Sequence, residues 1–95
     1  MRTFQVHAEK RQVRMQVTIV HGDNAHVHKA GCADLARRER KNRHYLSDYT
    51  LTVATRREAA LDAWSDFVAE ESMTEDDAIA YTEFYPCCDG LPEGD

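Results

Sequence analysis

The stretch QVRMQVTIV, residues 12–20, alternates apolar Val13, Met15, Val17 and Ile19 with Gln12, Arg14, Gln16 and Thr18. Successive side chains of an extended chain point to opposite faces, so this pattern predicts a strand with one face toward a core and the other toward water. HGDN follows, and then AHVH. A two-residue turn would set Ile19 opposite His26 and Val17 opposite His28, forcing two imidazoles onto the apolar face, because directly opposed residues share a face. A three-residue loop of Gly22, Asp23 and Asn24 shifts the register by one. Ile19 then meets Val27, and His26 and His28 face outward. Asn24 tolerates the left-handed conformation that such a loop needs at its last position. The sequence therefore predicts the three-residue loop.

The same alternation runs more weakly through TFQVHA, by way of Phe4 and Val6, which predicts a hairpin turning near residues 9–11. It returns in DYTLTVAT through Tyr49, Leu51 and Val53. Between these strands AGCADLARRERKNR reads as a short helix starting near Gly31, with almost nothing apolar after Leu35 and Ala36. A helix polar all round gains little from packing, so this one is expected to be the least stable element unless something binds it. Thr55 and Glu58 form a T-x-x-E capping box. Ala60, Leu61, Trp64, Phe67 and Val68 trace one apolar stripe beyond it, predicting a single long helix through RREAALDAWSDFVAEE. Thr74 with Asp77 starts a short helix EDDAIAY, and TEFYP is a last strand closed by Pro86. The tail DGLPEGD, residues 89–95, is acidic and expected to fray.

This order predicts one α+β domain over residues 1–95: a mostly antiparallel β-sheet of four to five strands, one long amphipathic helix packed on one face, and two shorter helices. A chain of 95 residues, 42% apolar and 31% charged, has enough apolar material for one core and is not of the disordered class. No apolar run approaches the ~20 residues that span a bilayer. MRTFQVHAEK has no apolar signal-peptide segment, so a cytoplasmic protein is expected.

Charge divides along the chain. Residues 1–45 hold ten Lys/Arg against four Asp/Glu and all five histidines, whereas residues 46–95 hold two against thirteen. Opposite halves of one domain can attract each other, or they can offer two partner surfaces of opposite sign. The dense basic run is ARRERKNRH, with Arg37, Arg38, Arg40, Lys41 and Arg43 around Glu39. Such a helix can neutralise phosphates. No helix-turn-helix pattern or series of stacking aromatics accompanies it, and the net charge of −5 is unlike that of most nucleic-acid binders. Glu70, Glu71, Glu75, Asp76 and Asp77 form a candidate partner-binding surface, although capping and solubility explain most of them without a partner.

The cysteines pose a separate question. Zinc favours thiolate and imidazole in sets of four. His28 and Cys32 offer one half of such a set, and Cys87 with Cys88, in YPCCDGLP, the other. Against this, zinc sites usually space paired cysteines by two to four residues, and adjacent side chains tend to point to opposite sides of an extended chain. A Cys32–Cys87 disulfide is sterically possible if the strand ends meet, but a reducing cytoplasm opposes it. Cys32 near His28 loosely meets the needs of a nucleophile. Packing of Cys32 and Cys87 as small apolar side chains under the sheet edge needs no ligand at all.

The stretches VHKAGCADL, SDFVAEESMTEDDA and FYPCCDGLP resemble small accessory proteins of unknown function encoded by actinobacterial phages, mycobacteriophages in particular. Cys88 departs from the single cysteine that follows the proline in that group. The resemblance implies a bacterial host cytoplasm and a role in phage infection, and it carries over no activity and no site residues. The expectation is a non-enzymatic protein that acts by protein–protein interaction with a host or phage partner, or with its own copies. The alternatives are nucleic-acid binding through residues 37–44 and a small zinc-stabilised domain.

Overall fold

The computed structural model describes residues 14–94. The hairpin expected near residues 9–11, with its first strand, lies outside the described residues. The strand read through residues 12–20 begins as β1 (Met15–His21), and β2 (Ala25–Lys29) returns beside it. Ile19 pairs with Val27 and His21 with Ala25, which leaves residues 22–24 as the loop, as predicted.

β3 (Tyr49–Val53) joins the other edge of β1 antiparallel, with Val17 opposite Leu51. β4 (Thr82–Phe84) lies on β2 and runs parallel to it, with Val27 opposite Phe84. The sheet order is β3-β1-β2-β4, so the sheet is mixed rather than mostly antiparallel. A hairpin forces reversal of direction, but β3 and β4 are joined by a helical crossover from one edge to the other, and a crossover permits a parallel partner. The backbone N–H of Ala25 donates to Tyr81 O at 3.0 Å and fixes where β4 starts.

The helix after β2, α1 (Ala33–Lys41), starts near Gly31 as expected and is capped by Cys32, whose sulfur accepts from the Leu35 N–H at 3.2 Å. Gly31, with φ 75°, supplies the left-handed step before the cap. Leu35 is the helix's buried residue.

The expected long helix is two. α2 (Arg56–Ala63) starts at Thr55, whose hydroxyl accepts from the Glu58 N–H, while the Glu58 carboxylate reaches the N–H of Ala54. It ends at Trp64, with φ −112° and ψ 23°, and α3 (Ser65–Ala69) follows. Two tertiary contacts compete with continuation of the helix. The Ala63 carbonyl, which an unbroken helix would use internally, instead lies 2.9 Å from His21 Nε2, and the Trp64 indole N–H donates to Thr82 Oγ1 at 3.1 Å. Phe67, expected on the apolar stripe, is consequently 49% exposed. α4 (Glu75–Ala80) carries the full capping box of Thr74 and Asp77, and an Arg57–Glu75 ion pair ties it to α2.

One face of the sheet meets α2 in a core of Val17, Ile19, Ala25, Val27, Val53, Ala59 and Ala63. The chain end closes this core. Leu91 and Cys88 are buried in it, and the N–H groups of Arg56 and Arg57 donate to the carbonyls of Pro92 and Glu93. Residues 89–94 are thus bound to the domain, where the sequence suggested a fraying tail: the apolar Leu91 inside that acidic stretch has a place to go. The second face does not meet water as expected either, since Thr18, Val20 and His28 on it are buried. The ion pairs of Arg37, Arg38 and Arg57 stay within their own halves, while the contacts of His21 with Asp48 and of His26 with Glu83 run between the halves.

Candidate metal centre

His28 sits near the end of β2, on the face opposite Val27, and has no solvent exposure. Tyr85, the residue after β4, stacks on its ring with centroids 4.2 Å apart and planes 11° apart. The Tyr45 hydroxyl lies 2.6 Å from His28 Nε2. Burial lowers the pKa of His28 more than neighbouring Asp34 raises it, so the ring is favoured in its neutral form. In the tautomer whose Nε2–H donates to the Tyr45 oxygen, Nδ1 carries the free lone pair, an orienting contact of the kind that metal-binding histidines use.

That nitrogen faces two sulfurs. Cys32 Sγ is 3.7 Å from it and Cys87 Sγ 4.0 Å, and all three donor atoms lie within 4.8 Å of one another. The sulfurs come from different elements, Cys32 from the cap of α1 and Cys87 from the 3-10 turn Pro86–Cys88. Each already receives a backbone N–H: Leu35 donates to Cys32 and Lys29 to Cys87, both at 3.2 Å. Burial pushes the Cys87 thiol up, and the Lys29 N–H works against that rise. Metal–sulfur bonds of about 2.3 Å and metal–nitrogen bonds of about 2.0–2.1 Å in a tetrahedron put nitrogen and sulfur roughly 3.5 Å apart. The two nitrogen–sulfur separations need only a few tenths of an ångström of contraction, and the sulfurs, within 4.8 Å of each other, would close to roughly 3.8 Å in the same tetrahedron. The cluster is able to hold a metal ion.

Of the four ligands read from the sequence, His28, Cys32 and Cys87 come together and Cys88 does not. Cys88 turns into the apolar core, donates to Val27 O at 3.5 Å, and its pKa is pushed up by burial to about 12. Packing accounts fully for Cys88 and in part for Cys87, which rests half-buried against the core, while Cys32 is half-buried outside it. All three are free thiols. Iodoacetamide added to the folded, metal-free protein is expected to modify Cys32 and Cys87 well before Cys88, as resolved by peptide mass spectrometry. Labelling of Cys88 at a matching rate would contradict its placement.

Tyr45, Tyr85 and Asp34 were missed as site residues. The sequence did carry a signal for Asp34, which stands two residues after Cys32, and none for Tyr45, which arrives from the segment beyond α1. Asp34 Oδ2 lies 3.8 Å from His28 Nδ1. Its carboxylate also accepts from Arg37 and, at 3.1 Å, from Arg38, and this pairing holds it below the usual carboxylate range.

Arg37, Arg38, Arg40 and Lys41 all lie on α1, and Arg43 follows it. The Arg38 guanidinium stands over the Tyr85 ring at 4.6 Å. A cleft of about 330 Å³ opens between Arg37, Arg38, Lys41, Asn42, Tyr45 and Asp34. The acids are spread out: Glu70 and Glu71 occupy the turn after α3, while Glu75, Asp76 and Asp77 fill the first turn of α4, where Glu75 pairs with Arg57 and Asp77 caps the helix. A second cleft, of about 410 Å³, runs beside His21, Asp48, Tyr49 and Asp62. Its polar groups satisfy one another, His21 with Asp48 at 2.6 Å and the Tyr49 hydroxyl donating to Asp62 at 2.6 Å.

No described helix is long and apolar enough to cross a membrane. Comparison of the chain with protein-family models, curated proteins and solved structures gives no match.

Proposed function

We propose that this chain is a small zinc-stabilised interaction domain, in which the metal joins the cap of α1 to β2 and to the chain end. The observation that supports this reading is the convergence of three soft donors, His28 Nδ1, Cys32 Sγ and Cys87 Sγ, from three separate elements. Thiolate and imidazole together favour zinc over the oxygen-seeking Mg²⁺ and Ca²⁺. The role is structural rather than catalytic, because His28 is fully buried and the sulfurs half-buried, and structural zinc is bound in closed sites. What the metal would fix is an exposed basic helix that has one buried residue of its own, so the fixed helix is the working surface. Binding to a protein partner or to nucleic acid, rather than catalysis, is the activity that such a surface serves.

The direct test is elemental analysis of protein produced without a histidine tag and purified without chelator. One zinc per chain is expected, falling to a small fraction in Cys32→Ser and Cys87→Ser and staying near one in Cys88→Ser. A wild-type protein that neither carries zinc nor takes it up on dialysis sinks the reading.

A further inference from the structure

Three donors leave a tetrahedral ion one position short, and structural zinc is held by four. The nearest carboxylate is Asp34, with Oδ2 3.8 Å from His28 Nδ1 and a side chain only 23% exposed. Asp34 stands outside the set of donor atoms that lie within 4.8 Å of one another, and its carboxylate is held by Arg37 and Arg38, with both oxygens engaged. A carboxylate oxygen that ligates a metal must turn toward it, and Asp34 cannot keep both guanidinium bonds while doing so.

On the reading that His28, Cys32 and Cys87 bind zinc, we propose that Asp34 is the fourth ligand, and that its transfer to the metal frees Arg37 and Arg38 to receive phosphate groups of a nucleic-acid strand in the cleft beside Tyr45. Charge accounting shows what changes. Zinc displaces two thiol protons to solvent, so the ion and its two thiolates sum to zero, and Asp34 contributes one negative charge before and after. The local net charge is unchanged. What is gained is the set of guanidinium N–H donors, whose planar fork matches phosphate oxygens. Lys41 and Asn42 line the same cleft, and Arg40, Lys41 and Arg43 form no ion pair with described residues, so the freed pair extends an existing basic face. Metal and nucleic acid would therefore bind with positive coupling, and each must raise the other's affinity by the same factor.

The test measures binding of a fluorescein-labelled oligothymidylate to the untagged full chain at low salt, by anisotropy, with zinc and with chelator. The wild type is expected to bind about tenfold or more tightly with zinc, which corresponds to a coupling of about 1.4 kcal/mol. Asp34→Ala is expected to bind tightly in both conditions, since its arginines are already free. Cobalt in place of zinc reads the metal site separately: the sulfur-to-cobalt charge-transfer band should persist in Asp34→Ala while metal affinity falls at least tenfold. If cobalt gives the band in the wild type but zinc leaves oligothymidylate binding unchanged, this inference is overturned and the zinc site stands. If no band forms with the wild type, the zinc site falls and this inference with it.

Discussion

Zinc at a thousandfold excess over its dissociation constant is expected to raise the thermal unfolding midpoint of this protein by roughly 15–30 °C, and chelator to reverse the rise. The size follows from linkage. A ligand bound only by the folded state stabilises it by about 4 kcal/mol at that excess, and each kcal/mol moves the midpoint of a domain of 60–100 residues by about 4–8 °C. The effect is large because the ligands are dispersed: His28, Cys32 and Cys87 come from β2, the cap of α1 and the last turn. An unfolded chain offers no such set, so the binding energy goes almost wholly to the native state. Paired scans with zinc and with chelator measure the shift. Cys32→Ser and Cys87→Ser should lose most of it and Cys88→Ser should keep it, and equal midpoints for the wild type in both scans would exclude a structural metal.

Ile19→Ala is the second large effect, expected to destabilise the protein by about 2–5 kcal/mol, a major part of the roughly 5–15 kcal/mol that holds a domain of this kind together. Ile19 has no solvent exposure, and its strand lies between β3 and β2, with Tyr49 opposite on one side and Val27 on the other. A truncated side chain there leaves a void bounded by paired strands that have little freedom to collapse. Urea unfolding followed by circular dichroism should show a midpoint lower by about 1 M or more, given slopes of ~1–3 kcal/mol per molar urea. Phe67→Ala supplies the contrast: with the ring 49% exposed after the break at Trp64, its loss should be under about 1 kcal/mol. A reversed order of these two variants would mean that the apolar stripe read from the sequence, and not the broken helix, describes the molecule.

That contrast shows which parts of the fold were legible. Period-two alternation at Met15, Val17 and Ile19, together with the Gly22–Asp23–Asn24 turn chemistry, specified the β1–β2 register down to Ile19 opposite Val27, because a slip of one residue would have turned His28 into the core. The caps at Thr55 and Thr74 were equally readable, since a hydroxyl and an N–H three residues on meet locally. The break at Trp64 was not readable. It depends on His21 and Thr82, which no spacing within residues 56–71 reveals. The parallel seating of β4 was hidden for the same reason, and with it the approach of Tyr85 to His28. At the site, the spacing of His28 and Cys32 was visible. The choice between Cys87 and Cys88 was not legible: the sequence offered both as ligands, and which one reaches the site turns on which side of the last turn faces the sheet.

β4 is a three-residue strand at the edge of the sheet, paired to β2 alone, and it brings Cys87 to a histidine 59 positions earlier in the chain. On the proposed reading, an ion shared between them would act as a rivet on this short edge strand. Its residence time would then be governed by how often that strand lifts away, and not by ligand exchange at the metal.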